Sequence, residues 1–194
     1  CAKPKCTLYT SASQVLAKAI DLQVEGNVLN QGLIETEQDL SLQSRGTIAN
    51  IAGKFATQTG DLSLQADGNV LNISGEIASG KDLTVSGKTI VSATSKERME
   101  GYKSHADVLG ATAKISAKDA LHLAADEHLA AVGTAFKGND VALTSGGDMT
   151  LDVAEKTYHY RDSGHNWSIN EHGAHALQTT IEAGNDVRLL AQDD

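Results

Sequence analysis

A chain of 194 residues can hold one domain with a sizeable core, and a hydrophobic content of 40% excludes intrinsic disorder. Aromatics are only 4% and a single proline stands against 18 glycines, so the core must be aliphatic and the turns must rely on Gly, Asn and Asp. A net charge of −9 excludes a basic stripe for nucleic acid, and no run approaches the ~18 apolar residues of a helical membrane span.

The chain opens with CAKPKC. Cys1 and Cys6 fit neither a CxxC redox pair nor a four-ligand zinc site; a short disulfide loop in an oxidising compartment stays open. No charged segment followed by an apolar stretch marks a signal peptide, which points to a cytosolic protein or to a piece from inside a longer one. Residues 1–13 are set apart as a boundary or cap, and residues 14–194 read as one repeat domain.

From there the sequence repeats itself. Pairs of the form x-[LV]-x-[LV] occur at Leu22/Val24, Leu40/Leu42, Leu62/Leu64, Leu83/Val85, Leu121/Leu123, Val141/Leu143 and Val187/Leu189, at intervals of 18, 22, 21, 38, 20 and 46. A second phrase keeps step: GNVLNQG at 26–32, GTIANIAG at 46–53 and GNVLNISG at 68–75. Self-similarity near 20 residues marks a solenoid, and short alternating runs mark strands with one buried face. The return arm is again a strand, Glu76 to Ser79 around Ile77, which argues against leucine-rich repeats, and no six-residue aliphatic period supports a hexapeptide helix. The reading is therefore all-β: a right-handed parallel β-helix of about 20-residue coils.

One such coil cannot bury enough surface to offset its own ordering, so successive coils must put matching side chains at matching positions. Leu40, Leu62 and Leu83 should form one vertical column. Asn30, Asn50 and Asn72 should form another at a corner, with amides bonded up and down the stack and a tolerance for left-handed backbone.

Two polar stretches, near 92–112 and 155–180, account for the long intervals and read as hairpin-like insertions outside the helix. In the second, TYHYRD and HNWSINEH alternate around Asp162-Ser163-Gly164-His165, read as the hairpin turn. That stretch holds the single tryptophan, Trp167, and four of the seven histidines. Three readings stay open. Its aromatics could form cross-strand pairs that hold a hairpin against the stack. Tyr158, His159, Tyr160, Arg161, His165, Trp167 and His172, with Tyr102 from the first insertion, could form a partner-contact surface. His172 and His175 with Glu171 could hold a metal, but residues three apart on a strand face opposite ways, so that site needs a bend.

Asp21, Asp39, Asp61, Asp82, Asp140, Asp148 and Asp186 each precede an apolar strand residue. They form a ladder with one acid per coil, not the paired carboxylates that glycoside chemistry requires. GGDMTLDVA at 146–154 echoes a calcium-binding nonapeptide, but only once. No nucleophile motif or phosphate loop appears. The expectation is no enzyme, no cofactor and no metal, with a carbohydrate-active β-helical lyase or hydrolase as the alternative.

The phrases GNVLNQG, GTIANIAG, GDLSLQADGNVLNISG and GNDVALTSGGDMTLDVAEKTYHY resemble the haemagglutinin repeats of two-partner-secretion exoproteins: filamentous haemagglutinins, related haemolysins and contact-dependent growth inhibition effectors of Gram-negative bacteria. The likeness covers roughly residues 14–192. It implies a structural, adhesive segment inside a long secreted, surface-exposed filament, a virulence factor that displays binding or toxin-delivery regions toward a neighbouring cell. The implied partners are an outer-membrane transporter of the full-length protein and a host or target-cell receptor, protein or glycan. Exposed end coils add end-to-end self-association.

Overall fold

The computed structural model describes residues 7–192, so Cys1 and Cys6 lie outside the described residues. Every element described is a strand. The strands stack in parallel into a β-solenoid of about seven turns, with three strand columns running its length. Period-two patterning explains the columns: alternate residues of each short run point inward, and each run lies over its equivalent from the coil before.

The first column contains Ile20–Val24, Leu40–Ser44, Leu62–Ala66, the first halves of Leu83–Ala93 and Ala120–Val132, then Asp140–Ser145 and Val187–Ala191. Leu40 pairs with Leu62 and Leu62 with Leu83, as the repeat predicts. The second column starts in Leu8–Ala17 and Val28–Thr36. It continues through Ile48–Ile51, Val70–Ile73, the second halves of Leu83–Ala93 and Ala120–Val132, and Met149–Asp152. The third is the return arm. It holds the second halves of Leu8–Ala17 and Val28–Thr36, then Lys54–Thr57, Glu76–Ser79, Ala113–Ala117, Thr134–Gly138 and Thr180–Ala183. Leu8–Ala17, which overlaps the segment set apart as 1–13, is itself part of the stack.

Aliphatic side chains fill the interior in vertical files. Val28, Ile48, Val70, Ile90 and Leu129 line the second column, and Ile34, Phe55, Ile77, Ile115 and Phe136 the third, all buried. Both phenylalanines of the chain are spent here.

One buried file is polar. Thr10 Oγ1 donates to Asn30 Oδ1 (2.5 Å), Asn30 Nδ2 to Asn50 Oδ1 (2.8 Å), Asn50 Nδ2 to Asn72 Oδ1 (2.9 Å) and Asn72 Nδ2 to Ser92 Oγ (3.3 Å). The amides also donate to return-arm carbonyls: Asn30 Nδ2 to Lys54 O (3.1 Å) and Asn50 Nδ2 to Glu76 O (3.2 Å). An amide carries donors and an acceptor, so identical residues can repeat without leaving a buried group unpaired. The glycines closing the second and third phrases, Gly53 and Gly75, make room for the file. A Cβ at Gly53 would sit 2.7 Å from both Asn30 O and Asn50 Oδ1. One detail differs from expectation: the left-handed corner residues are Ala12, Ala52 and Ser74, at φ 49°, 52° and 48°, each two positions beyond a member of the file, Thr10, Asn50 or Asn72. The asparagines themselves stay in strand geometry because their amides must point inward to bond.

The aspartate ladder also serves the stack. Asp39 Oδ1 accepts from Asp61 N (2.9 Å), Asp61 Oδ1 from Asp82 N (3.2 Å) and Asp82 Oδ1 from Ala120 N (3.0 Å). Each carboxylate thus satisfies a backbone donor of the next coil at a turn.

Candidate functional site

The two polar stretches leave the stack at the same corner, between the second and third columns. The first follows Leu83–Ala93 and the second follows Met149–Asp152, with one uninterrupted coil between them. That middle coil turns the corner on Gly133 alone, at φ 58°, where a Cβ would meet Ala154 Cβ at 2.6 Å. Thr94 Oγ1 binds Gly133 O (2.6 Å) and Thr179 Oγ1 binds Asp152 O (2.6 Å), which pins the bases of both excursions.

Each excursion is a hairpin: Lys96–Glu100 with Ser104–Leu109, and Ala154–Gly164 with Trp167–Leu177. The second hairpin turns at His165 and Asn166, further along than the expected Asp162–His165, because Gly164 pairs with Trp167 and Ser163 with Ser168. The two hairpins then pair with each other. Ser104 lies opposite Tyr160, His105 opposite His159 and Ala106 opposite Tyr158, so four antiparallel strands form one sheet beside the solenoid.

Asp107 locks this union. It is 7% exposed, and its Oδ2 accepts from Thr157 Oγ1 (2.8 Å) and Thr157 N (3.1 Å) of the other hairpin. Arg98 Nε lies 3.4 Å from Oδ1 and Lys96 Nζ 3.6 Å from Oδ2. The Thr157 hydroxyl and then its N–H, followed by the two cations, outweigh burial and hold the carboxyl at about 2, against an ordinary 3.8. A second lock joins Lys103 to Asp162 across the same seam. The ammonium holds the Asp162 carboxyl below its usual range. Asp162 Oδ2 accepts from Tyr160 Oη (3.2 Å), and its charge pushes the phenol up.

Strand alternation sorts the sheet's side chains onto two faces. Tyr158, Tyr160, Trp167, Ile169, Met99 and Val108 share one face, and all are exposed. Trp167 and Tyr158, each 52% exposed, cover Gly164 and Gly173, the glycines directly opposite them; a Cβ at either glycine would strike the ring. His159, Arg161 and His172 point to the opposite face, with His105 and Asp107. Tyr102 is 97% exposed in the turn of the first hairpin, and His165 lies in the turn of the second. The eight candidate residues thus share one sheet but not one face. His172 and His175 also split between the faces, and among the described residues no three His, Cys, Asp or Glu side chains are grouped to hold a metal.

Met99, Val108, Ile169, Asp107, Thr157 and His105 escaped sequence reasoning. The alternation of SHADVL over 104–109 marks a strand, but nothing local names a partner some 50 positions away.

The haemagglutinin-repeat family model matches residues 15–57, 56–126 and 100–152. No curated protein and no solved structure matches the chain. The family is structural and adhesive, not enzymatic.

Proposed function

Because this chain belongs to the haemagglutinin-repeat family, we propose that it is a load-carrying and adhesive segment of a secreted bacterial surface filament. The solenoid supplies a stiff spacer, since successive coils are bonded to one another through backbone and side-chain ladders. The four-stranded sheet supplies the contact surface. The observation that carries this reading is the exposed face of Tyr158, Tyr160, Trp167, Met99, Val108 and Ile169, held outward by hairpins that the stack itself does not require. Large aromatic side chains on a rigid support give contact area at low entropic cost, which suits a protein or glycan receptor on a neighbouring cell. In the full-length protein, export through an outer-membrane partner transporter fits the family, and in its growth-inhibition branch the same repeats would serve toxin delivery.

The test is a Trp167→Ala/Tyr160→Ala double variant assayed for binding to target cells. Both side chains are exposed, so the variant should keep the parent's circular dichroism and melting temperature and lose adhesion. Unchanged adhesion by a folded variant would refute this placement of the contact surface.

A further inference from the structure

The polar face of the sheet carries a different constellation. Glu100 lies opposite His105, His105 opposite His159 and His159 opposite His172, a row crossing all four strands. Directly opposed residues of antiparallel strands project to the same face with Cα atoms roughly 4.5–5.5 Å apart. The rings of His105 and His159 stack with centroids 5.2 Å apart and planes inclined by 17°. The side-chain bonds of the sheet run instead through Arg98, Lys103, Asp107, Thr157, Tyr160 and Asp162. Among the described residues, no hydrogen bond or ion pair engages the imidazole nitrogens of this row.

We propose that His105, His159 and His172 form a binding site for a divalent transition metal of the Zn2+ or Ni2+ type, bridging the two hairpins. Neutral imidazole is the preferred protein ligand for these ions, and three such nitrogens with a water complete a tetrahedral site at ~2.1 Å per bond. As the rings stand, the stack keeps three ligating side chains from converging. Binding requires the side chains of His105 and His172 to rotate toward His159, from which each is one strand spacing away on the same face. Glu100 is next in the row and is placed to accept the second N–H of His105, the outer contact that fixes a ligating ring. The cation would cross-link one hairpin to the other from the face opposite the aromatic surface. The site does not depend on the adhesive reading, and its test involves no cell.

The experiment is isothermal titration of the 194-residue chain with Zn2+ near neutral pH, alongside hydrogen exchange with and without the ion. Saturable one-to-one binding is expected, with slower exchange of amides in Ser104–Leu109 and Ala154–Gly164. His159→Ala and the more conservative His159→Gln should each weaken binding by at least about 10-fold, the loss expected even for an outer contact of a ligand, with unchanged circular dichroism. His105→Ala and His172→Ala should also weaken it, and His175→Ala, on the other face, should not. Absence of saturable binding overturns the proposal. So does binding that survives in a folded His159 variant or is lost in His175→Ala.

Discussion

Substitution of Asn50 tests the polar file at its centre. Asn50 accepts from Asn30 Nδ2 and donates to Asn72 Oδ1 and Glu76 O, while only 1% exposed. In Asn50→Ala, Asn72 Oδ1 and Glu76 O lose their Asn50 donor. Asn30 Nδ2 keeps its bond to Lys54 O. Two buried acceptors stripped of a partner cost about 1–3 kcal/mol each, so a loss of about 2–6 kcal/mol is expected. Asn50→Asp adds a discriminating measurement. It keeps the shape but sets a carboxylate against Asn72 Oδ1, so its stability should fall as pH rises through the carboxyl's titration. Urea unfolding followed by circular dichroism reads both variants, with the midpoint shifting at constant slope. The exposed Gln43→Ala is the control and should stay within about 0.5 kcal/mol of the parent. A change below about 1 kcal/mol in Asn50→Ala, or an Asn50→Asp variant indifferent to pH, would show that the amide file is incidental.

Leu64→Ala, at a fully buried level of the first column, should cost about 2–5 kcal/mol in the same unfolding assay; a loss under 1 kcal/mol would contradict close vertical packing. The Asp107 carboxyl lies below its ordinary value in the folded state. Its contribution is therefore fully present above about pH 4 and is lost as pH falls through about 2. Exchange of the Thr157 amide should accelerate over that window while the solenoid amides stay protected. Thr157→Val should flatten the dependence; equal steepness in parent and variant would exclude Asp107 as the lock. Gly133→Ala combines a φ of 58° with a Cβ contact at 2.6 Å to Ala154. It should destabilise by at least about 1 kcal/mol, and a neutral thermal melt would argue against the single-residue corner.

The part of the molecule legible in the sequence is the part where every coil obeys the same rule. Leu40, Leu62 and Leu83 announce a column because a coil buries its apolar side chains only against equivalent ones above and below. The asparagines of the second phrase announce their file for the same reason, although the left-handed turn falls on Ala52 and Ser74. The insertions were visible only as interruptions. Their lengths and aromatic content could be read directly, but the hairpin turn was misplaced because Asp162-Ser163-Gly164-His165 offers strong local turn chemistry that the Ser163–Ser168 register overrides.

Amino-acid order by itself thus determined the period, the buried files and the two excursions, since vertical stacking forces local patterns to match at each level. Tertiary structure alone decided that both hairpins leave one corner two coils apart and zip together. It also decided that Asp107 faces Thr157, and that the aromatics take one face of the sheet and the histidine row the other. Those outcomes depend on the register between His105 and His159. A one-residue slip of that register would carry every side chain to the opposite face, and no pattern within either hairpin encodes the alignment.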